Sequence, residues 1–256
     1  MPSYLITRAR RGLGLGFANE LLKKKESTVI ATAINTAGSP GLQKLKKEHP
    51  DGRLILLNLD VMSADSIKAT AEATNKLLPR GLDNLISNAG VNYNGLKTFD
   101  ELIIEDLQKE ISFNTTSQLL LLRAFVPLVR KSQGKKILVI TSGLGSTQNA
   151  PNTPNLANGY SVAKATLNIR TSIGLYGSIA LSSRMKALPP RSSTQVSWVG
   201  STAIGDGISD WINTYAPDYK NLSLETSSAN CMKVLDTLTP EANGEFFNHN
   251  GTKLPF

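Results

Sequence analysis

The chain has 256 residues, of which 40% are hydrophobic and 19% are charged. This apolar fraction is enough for a buried core, which excludes wholesale disorder. The net charge is +8, but the basic residues are scattered and few aromatic side chains lie between them, so a nucleic-acid groove is not indicated. The single cysteine, Cys231, excludes an internal disulfide framework and suits a reducing compartment.

Targeting and domain signals are absent from the sequence. No apolar run approaches the roughly 20 residues of a membrane span, and the first apolar run lacks the length and flanks of a signal peptide. The sequence therefore predicts a soluble, cytoplasmic protein with no membrane partner. No linker or repeat is visible, so residues 1–256 are expected to form a single domain. His49 and His249 are isolated, and no metal site is expected.

Short apolar runs alternate with longer helical stretches up to about residue 200. The predicted strands are Tyr4–Thr7, Thr28–Thr32, Leu54–Leu57, Leu85–Ser87, Ile137–Ile140 and Gln195–Val199. The predicted helices are Leu13–Lys25, Leu42–His49, Ala64–Leu78, Leu102–Arg130 and Tyr160–Leu181. Ser63 is expected to cap the third helix, and Pro127 is expected to kink or end the fourth. Strands that are apolar on both faces and alternate with helices predict an α/β fold with a doubly wound parallel sheet.

The turns that follow the strands are the candidate site, because ligands of such sheets bind outside the carboxyl ends of the strands. The first turn runs from Thr7 to Gly14 and opens the first helix. Its glycines, Gly12 and Gly14, let backbone N–H groups and the positive helix end approach a diphosphate. The turn therefore indicates a dinucleotide site, although a tight turn with three surface arginines has the same pattern.

The first turn resembles the Thr-Gly-x-x-x-Gly-x-Gly element of the short-chain dehydrogenase/reductase family, with Arg8 in place of the first glycine. The later matches are Asp60-Val61, Asn88-Ala89-Gly90, Asn114, Ser142 and Tyr160-x-x-x-Lys164, and the resemblance extends over nearly the whole chain. Within the family, the sequence is most similar to fungal carbonyl and polyketide ketoreductases. It departs from the family after the sixth strand, where Val196-Ser197 replaces a Pro-Gly pair.

The resemblance implies a Rossmann-type fold and a catalytic set formed by Asn114, Ser142, Tyr160 and Lys164. Tyr160 and Lys164 are one helical turn apart, so they project from the same helix face. A nearby ammonium is expected to lower the phenol pKa, which suits proton exchange with a substrate oxygen. Ser142 is expected to hydrogen-bond the same oxygen.

The pattern after the second strand favours NADP(H) as the cofactor. NAD sites usually have an acidic residue there, but the stretch is Thr32-Ala33-Ile34-Asn35. Arg10 and Arg11, with Arg8 as a third candidate, suit a 2′-phosphate. The expected cofactor-binding residues are Thr7, Arg8, Arg10, Arg11, Gly12, Leu13, Gly14, Thr32, Asp60, Val61, Asn88, Ala89, Gly90, Tyr160, Lys164, Val199 and Thr202.

The substrate is expected between a loop at about residues 143–159 and a lid at about residues 201–221. The expected substrate-binding residues are Ser142, Leu144, Tyr160, Trp211 and Tyr215. Aromatic side chains in the lid suit a hydrophobic or polycyclic carbonyl compound, and they equally suit packing of the lid onto the body. The sequence thus predicts an NADPH-dependent reductase of a small-molecule ketone or aldehyde. A homodimer or homotetramer is expected through the helix that carries Leu119–Leu122.

Two other functions remain open from the sequence. One is a cyclase or isomerase of the same family that uses Tyr160 in acid–base chemistry, with the cofactor structural or absent. Arg8 and the missing Pro-Gly pair leave this alternative open. The other is a non-catalytic protein that senses the nucleotide, and the intact catalytic set argues against it. The fold alone does not choose among the three functions.

Overall fold

The computed structural model describes residues 1–93, 95–98, 100–153, 156–169, 192–197, 209–215 and 222–256. The strands are β1 (Ser3–Ile6), β2 (Thr28–Ala33), β3 (Leu54–Asn58), β4 (Asn84–Ser87), β5 (Lys136–Thr141), β6 (Ser192–Ser197) and β7 (Phe246–Asn248). They form one parallel sheet in the order β3-β2-β1-β4-β5-β6-β7. The strand order reverses between β1 and β4, which opens a ligand crevice at the carboxyl ends of these two strands.

The helices pack on both faces of the sheet. They are α1 (Gly12–Lys23), α2 (Pro40–Glu48), α3 (Ala64–Leu77), α4 (Ile104–Ile111), α5 (Ser117–Lys131), α6 (158–169), α7 (Ser209–Tyr215) and α8 (Leu224–Thr237). Successive residues of β1 alternate between two buried clusters, since Ile6 packs with Phe17 of α1 and Leu5 packs with Phe125 of α5. The predicted doubly wound α/β sheet is confirmed.

The first turn of α3 confirms one local prediction. The Ser63 side chain accepts a hydrogen bond from the Ser66 N–H at 3.2 Å, which caps the helix as expected. The β6 prediction was shifted, because the strand begins at Ser192, three residues before Gln195. The predicted extension of the last helix to Leu181 lies outside the described residues.

The fourth predicted helix is divided in a way that Pro127 does not explain. Its middle turn, Ser112–Thr116, is a π-helix between α4 and α5, and α5 continues through Pro127 to Lys131. Of the kink or end expected near Pro127, the end was therefore wrong, and the kink stays a prediction. Because proline has no N–H, the carbonyl of Arg123 lacks its usual helical partner, and both residues are exposed, where water can reach them.

The C-terminal elements α8 and β7 were absent from the predicted set. α8 is rich in small polar residues because it approaches α1 closely: a Cβ at Gly16 would lie 2.1 Å from the Ser228 Oγ. Its pattern therefore lacks the large apolar stripe that marks a helix in a sequence.

The apolar run Leu119–Leu122 in α5 lies mostly in the protein interior. Leu121 and Leu122 are buried, Leu119 is half-buried and Leu120 is exposed. Assembly through this helix stays a prediction. No helix in the described parts of the chain is long and apolar enough to cross a membrane.

Candidate active site

The β1–α1 turn is held to the loop after β4 by side-chain hydrogen bonds. The Thr7 hydroxyl accepts from the N–H groups of Asn88 at 2.9 Å and Ala89 at 3.1 Å. The Asn88 carboxamide donates to the carbonyl of Thr7 at 3.0 Å. A Cβ at Gly14 would lie 2.6 Å from the Arg8 carbonyl, so glycine is required for this close approach. These contacts fix the shape of the crevice between β1 and β4.

Arg8 adopts a left-handed backbone conformation, which glycine adopts more readily than other residues. Its φ is 53°, in the left-handed region, which costs a residue with a Cβ about 1–2 kcal/mol. The side chain is half-buried, and its guanidinium carbon lies 5.8 Å from the centre of the Phe113 ring. The arginine is thus accommodated with a strained backbone, and its charge enters the crevice.

The start of α1 can accept an anion. Its N-cap residue, Arg11, makes no side-chain capping bond, and the first turn contains no acidic residue. Within the described residues, the first N–H groups therefore have no side-chain acceptor, which is the arrangement that binds phosphate. Arg10 and Arg11 are exposed beside this helix end. This donor set fits a dinucleotide diphosphate with an additional phosphate nearby.

Tyr160 and Lys164 are both buried in α6, at 7% and 2% exposure. The Lys164 Nζ lies 5.5 Å from the centre of the Tyr160 ring and donates to the Ile140 carbonyl of β5 at 3.1 Å. A Cβ at Gly90 would lie 3.4 Å from the Lys164 Nζ and 3.3 Å from the Asn114 Oδ1. The structure thus brings Tyr160, Lys164, Asn114 and Gly90 together at the carboxyl ends of β4 and β5.

The pKa of Tyr160 differs from the sequence-based expectation. Burial raises the pKa of the phenol, the Glu110 carboxylate adds to this effect, and the Arg8 guanidinium opposes it. Burial, aided by the Arg8 charge, lowers the pKa of Lys164 to about 7. The expected lowering of the phenol pKa by Lys164 was therefore wrong, because desolvation dominates and the lysine is itself only partly charged near neutral pH.

Asn114 lies in the π turn and is fully buried. The next residue, Thr115, donates from its hydroxyl to the Ala163 carbonyl at 3.0 Å, which joins this turn to α6. Ser142 directly follows β5 and is also buried. Its Oγ accepts from the Leu144 N–H at 3.2 Å, so its hydroxyl proton can be donated elsewhere.

The predicted substrate residues also come together. Leu144 and Trp211 pack against the buried cluster that contains Tyr160, Leu156 and Ala157. The Trp211 and Tyr215 rings lie 5.2 Å apart, and Tyr215 is exposed. An apolar wall with an aromatic rim therefore lies beside the phenol.

The remaining predicted cofactor residues have structural contacts in the free protein. The Thr32 hydroxyl donates to the Ile6 carbonyl at 3.0 Å, and the Asp60 carboxylate accepts from the Met62 N–H at 2.9 Å. Leu13 and Val61 are buried. Val199 and Thr202 lie outside the described residues, as does most of the lid.

Sequence reasoning missed two residues of this site, Phe113 and Glu110. The Phe113 ring faces Arg8, and Glu110 is fully buried, with its Oε1 accepting from the Tyr93 N–H. Glu110 lies in a charged stretch, Glu-Asp-Leu-Gln-Lys-Glu, that is typical of an exposed helix. Its spacing of four residues from Asn114 was the available signal, since it indicates a shared helix face.

Comparison with known proteins decides the family. The model of the short chain dehydrogenase family matches residues 3–172 of this chain. The chain belongs to the short-chain dehydrogenase family. This confirms the family resemblance seen in the sequence.

Among the relatives of this short-chain dehydrogenase are two fungal proteins. An uncharacterized oxidoreductase of Schizosaccharomyces pombe is 29% identical, with 99% of this chain and 97% of the relative aligned. The short chain dehydrogenase gsfK of Penicillium aethiopicum is 29% identical, with 99% of each chain aligned. The similarity to fungal members of the family therefore spans the whole chain.

Solved structures of carbonyl reductases have the same fold. The NADPH-bound carbonyl reductase from chicken fatty liver matches with a TM-score of 0.81 and 28% identity, over 100% of this chain and 99% of that chain. The carbonyl reductase Sniffer of Drosophila melanogaster has a TM-score of 0.83 at 24% identity, over 100% of both chains. The latter similarity shows the fold alone.

Proposed function

We propose that this short-chain dehydrogenase is an NADPH-dependent reductase that converts a hydrophobic ketone or aldehyde to an alcohol. The observation that carries the proposal is the buried Tyr160–Lys164 pair, next to Asn114 and Gly90 in the crevice of the sheet. The chicken carbonyl reductase, which is similar along the whole chain, has NADPH bound.

The protein's own residues supply the proton and orient the carbonyl group. A bound nicotinamide supplies the hydride. Tyr160 donates its phenolic proton to the carbonyl oxygen, and the free Ser142 hydroxyl proton hydrogen-bonds the same oxygen. Both groups are buried, so bulk water does not compete for that oxygen. Lys164, whose pKa is lowered to about 7, can gain or lose a proton near neutral pH and return one to the phenol.

The cofactor preference rests on charge. Arg10 and Arg11 are exposed at the start of α1, and Ile34 rather than an acid follows β2. A guanidinium attracts the 2′-phosphate of NADPH, whereas a carboxylate after β2 would repel it. The first N–H groups of α1 and the loop Asn88–Gly90 complete the proposed cofactor site.

The substrate class rests on the apolar wall beside Tyr160. Leu144 and Trp211 contact the Tyr160 cluster, and Tyr215 extends this surface outward. Burying a large apolar substrate here is favourable by about 25 cal/mol per Å² of apolar area. The described wall contains no charged side chain, which favours an uncharged hydrophobic carbonyl compound.

The test is the number of NADPH molecules oxidised per alcohol formed, measured for wild type and for Tyr160→Phe. The expected ratio is one in wild type, and the rate should fall by about 10²–10⁴-fold or more in Tyr160→Phe. Tyr4→Phe is the matched control, because Tyr4 is the other buried tyrosine among the described residues and lies at the opposite end of β1. Its rate should stay near that of wild type.

The same measurement separates the alternatives. Product formed without matching NADPH oxidation would contradict the reductase and support a cyclase or isomerase. NADPH binding without turnover on a broad panel of hydrophobic carbonyl compounds, with Tyr160→Phe having no effect on binding, would support a nucleotide sensor.

A further inference from the structure

The Arg8 guanidinium occupies the ligand crevice rather than the protein surface. It lies against Phe113, in the π turn that follows β4, although Arg8 itself belongs to the β1–α1 turn. The side chain therefore crosses from the end of β1 toward the elements after β4. This is the switch point of the sheet, where a dinucleotide lies in such folds.

In the described part of the chain, this guanidinium has no anionic partner. No hydrogen bond or ion pair there joins it to another group, and it lies against the face of the Phe113 ring. Burial lowers its pKa, and Arg11 and Arg10 lower it further. A half-buried charge that lacks a partner is unfavourable, so the site is completed by an anion.

The strained backbone adds a second observation. Arg8 adopts a φ of 53°, which glycine would adopt without cost. Strain that persists in a ligand crevice points to a functional role of the side chain. Arg10 and Arg11 are exposed whereas Arg8 is half-buried, so Arg8 is not a third copy of their role.

We propose that Arg8 binds the diphosphate of the dinucleotide. This inference rests on the proposed function, because it assigns a residue to the same cofactor. The guanidinium is well matched to two phosphate oxygens, since it can donate two parallel hydrogen bonds.

The binding test uses ADP-ribose and ADP-ribose 2′-phosphate, titrated by calorimetry. Arg8→Asn should weaken both ligands by about 10–100-fold and leave the ratio of their affinities unchanged. Arg11→Gln should weaken only the 2′-phosphate form. Asparagine is chosen because it tolerates a positive φ, and Arg8→Lys, which keeps the charge, should lose less affinity than Arg8→Asn.

Three results would overturn the assignment. Unchanged ADP-ribose affinity in Arg8→Asn would mean that Arg8 does not bind the diphosphate. Loss of affinity for the 2′-phosphate form alone would assign Arg8 to that phosphate. Failure of the wild type to bind either ligand would refute the proposed cofactor itself, which keeps the two failures distinct.

Discussion

Asn114 and Val91 exchange two hydrogen bonds. The Asn114 carboxamide nitrogen donates to the Val91 carbonyl at 2.9 Å, and the carboxamide oxygen accepts from the Val91 N–H at 3.0 Å. The pair joins the π turn to the loop after β4, beside Gly90 and the Lys164 ammonium. The Asn114 side chain therefore fixes the π turn to the loop after β4 through both its nitrogen and its oxygen.

Asn114→Asp should destabilise the protein, because a carboxylate cannot donate to the Val91 carbonyl and is repelled by it. We expect a loss of about 1–3 kcal/mol in the free energy of unfolding, measured by urea denaturation at pH 8. Asn75→Asp is the control, since Asn75 is exposed on α3 and the chemical change is the same. Equal small losses in both variants would contradict a structural role for the Asn114–Val91 pair.

Lys164→Met should change how stability depends on pH. The pKa of Lys164 is about 7 in the folded protein and near 10.5 when unfolded, so between these values the unfolded state binds more protons. The stability of wild type therefore rises with pH across this window, and the variant lacks that rise. Relative to wild type, the free energy of unfolding of Lys164→Met should fall by about 2–3 kcal/mol between pH 6 and pH 9.

The matched control for this pH experiment is Lys68→Met, on the exposed face of α3. Its difference from wild type should be nearly the same at pH 6 and pH 9. A flat difference for Lys164→Met as well would show that Lys164 keeps an ordinary pKa in the folded protein.

Ile34→Asp should alter cofactor choice without affecting the fold. Ile34 is 71% exposed just after β2, so its replacement loses little buried area. The carboxylate should repel a 2′-phosphate and accept from a ribose 2′-hydroxyl, so NADPH affinity should fall about tenfold or more while NADH affinity is kept or improved. Ile34→Asn separates charge from shape. If the two variants bind NADPH equally well, the 2′-phosphate does not lie near residue 34.

Pro127→Ala should stabilise the protein. The change supplies the missing N–H in α5 and removes the ring from the preceding turn, and we expect a gain of about 1–3 kcal/mol in urea denaturation. Pro79→Ala, in the exposed segment after α3, should give no gain, because that residue lies outside a helix. No gain at Pro127 would indicate that hydration of the residue 123 carbonyl already compensates the break.

The sequence predicted the centre of the fold because the central strands contain runs of buried apolar residues, such as Leu85-Ile86 in β4 and Ile137–Ile140 in β5. β1, β2, β4 and β5 need no tertiary information to be recognised, and the Tyr160–Lys164 spacing places both side chains on one helix face. α8 escaped prediction because its fit against Gly16 requires small residues instead of an apolar stripe.

The pKa values and side-chain directions in the site were harder to predict than which residues belong to it. Whether Arg8 would turn outward or into the crevice depends on a φ of 53° and on the position of Phe113, which is about 100 residues away in the chain. The rise of the Tyr160 pKa depends on complete burial, which spacing does not report. The residue types indicate which reactions the site can carry out, whereas tertiary packing determines the pKa values of its groups.

The π turn at Ser112–Thr116 makes the count of residues in this region as important as their identity. One extra residue in a helical turn rotates everything that follows by about 100°. Glu110, before the turn, and Asn114, within it, are buried at the site, whereas Phe125 of α5, after the turn, packs in the core. Deleting a single residue there would restore an ordinary α-helix. Asn114 and the buried face of α5 could then no longer both keep their present orientations. We therefore expect the segment to tolerate substitutions better than insertions or deletions.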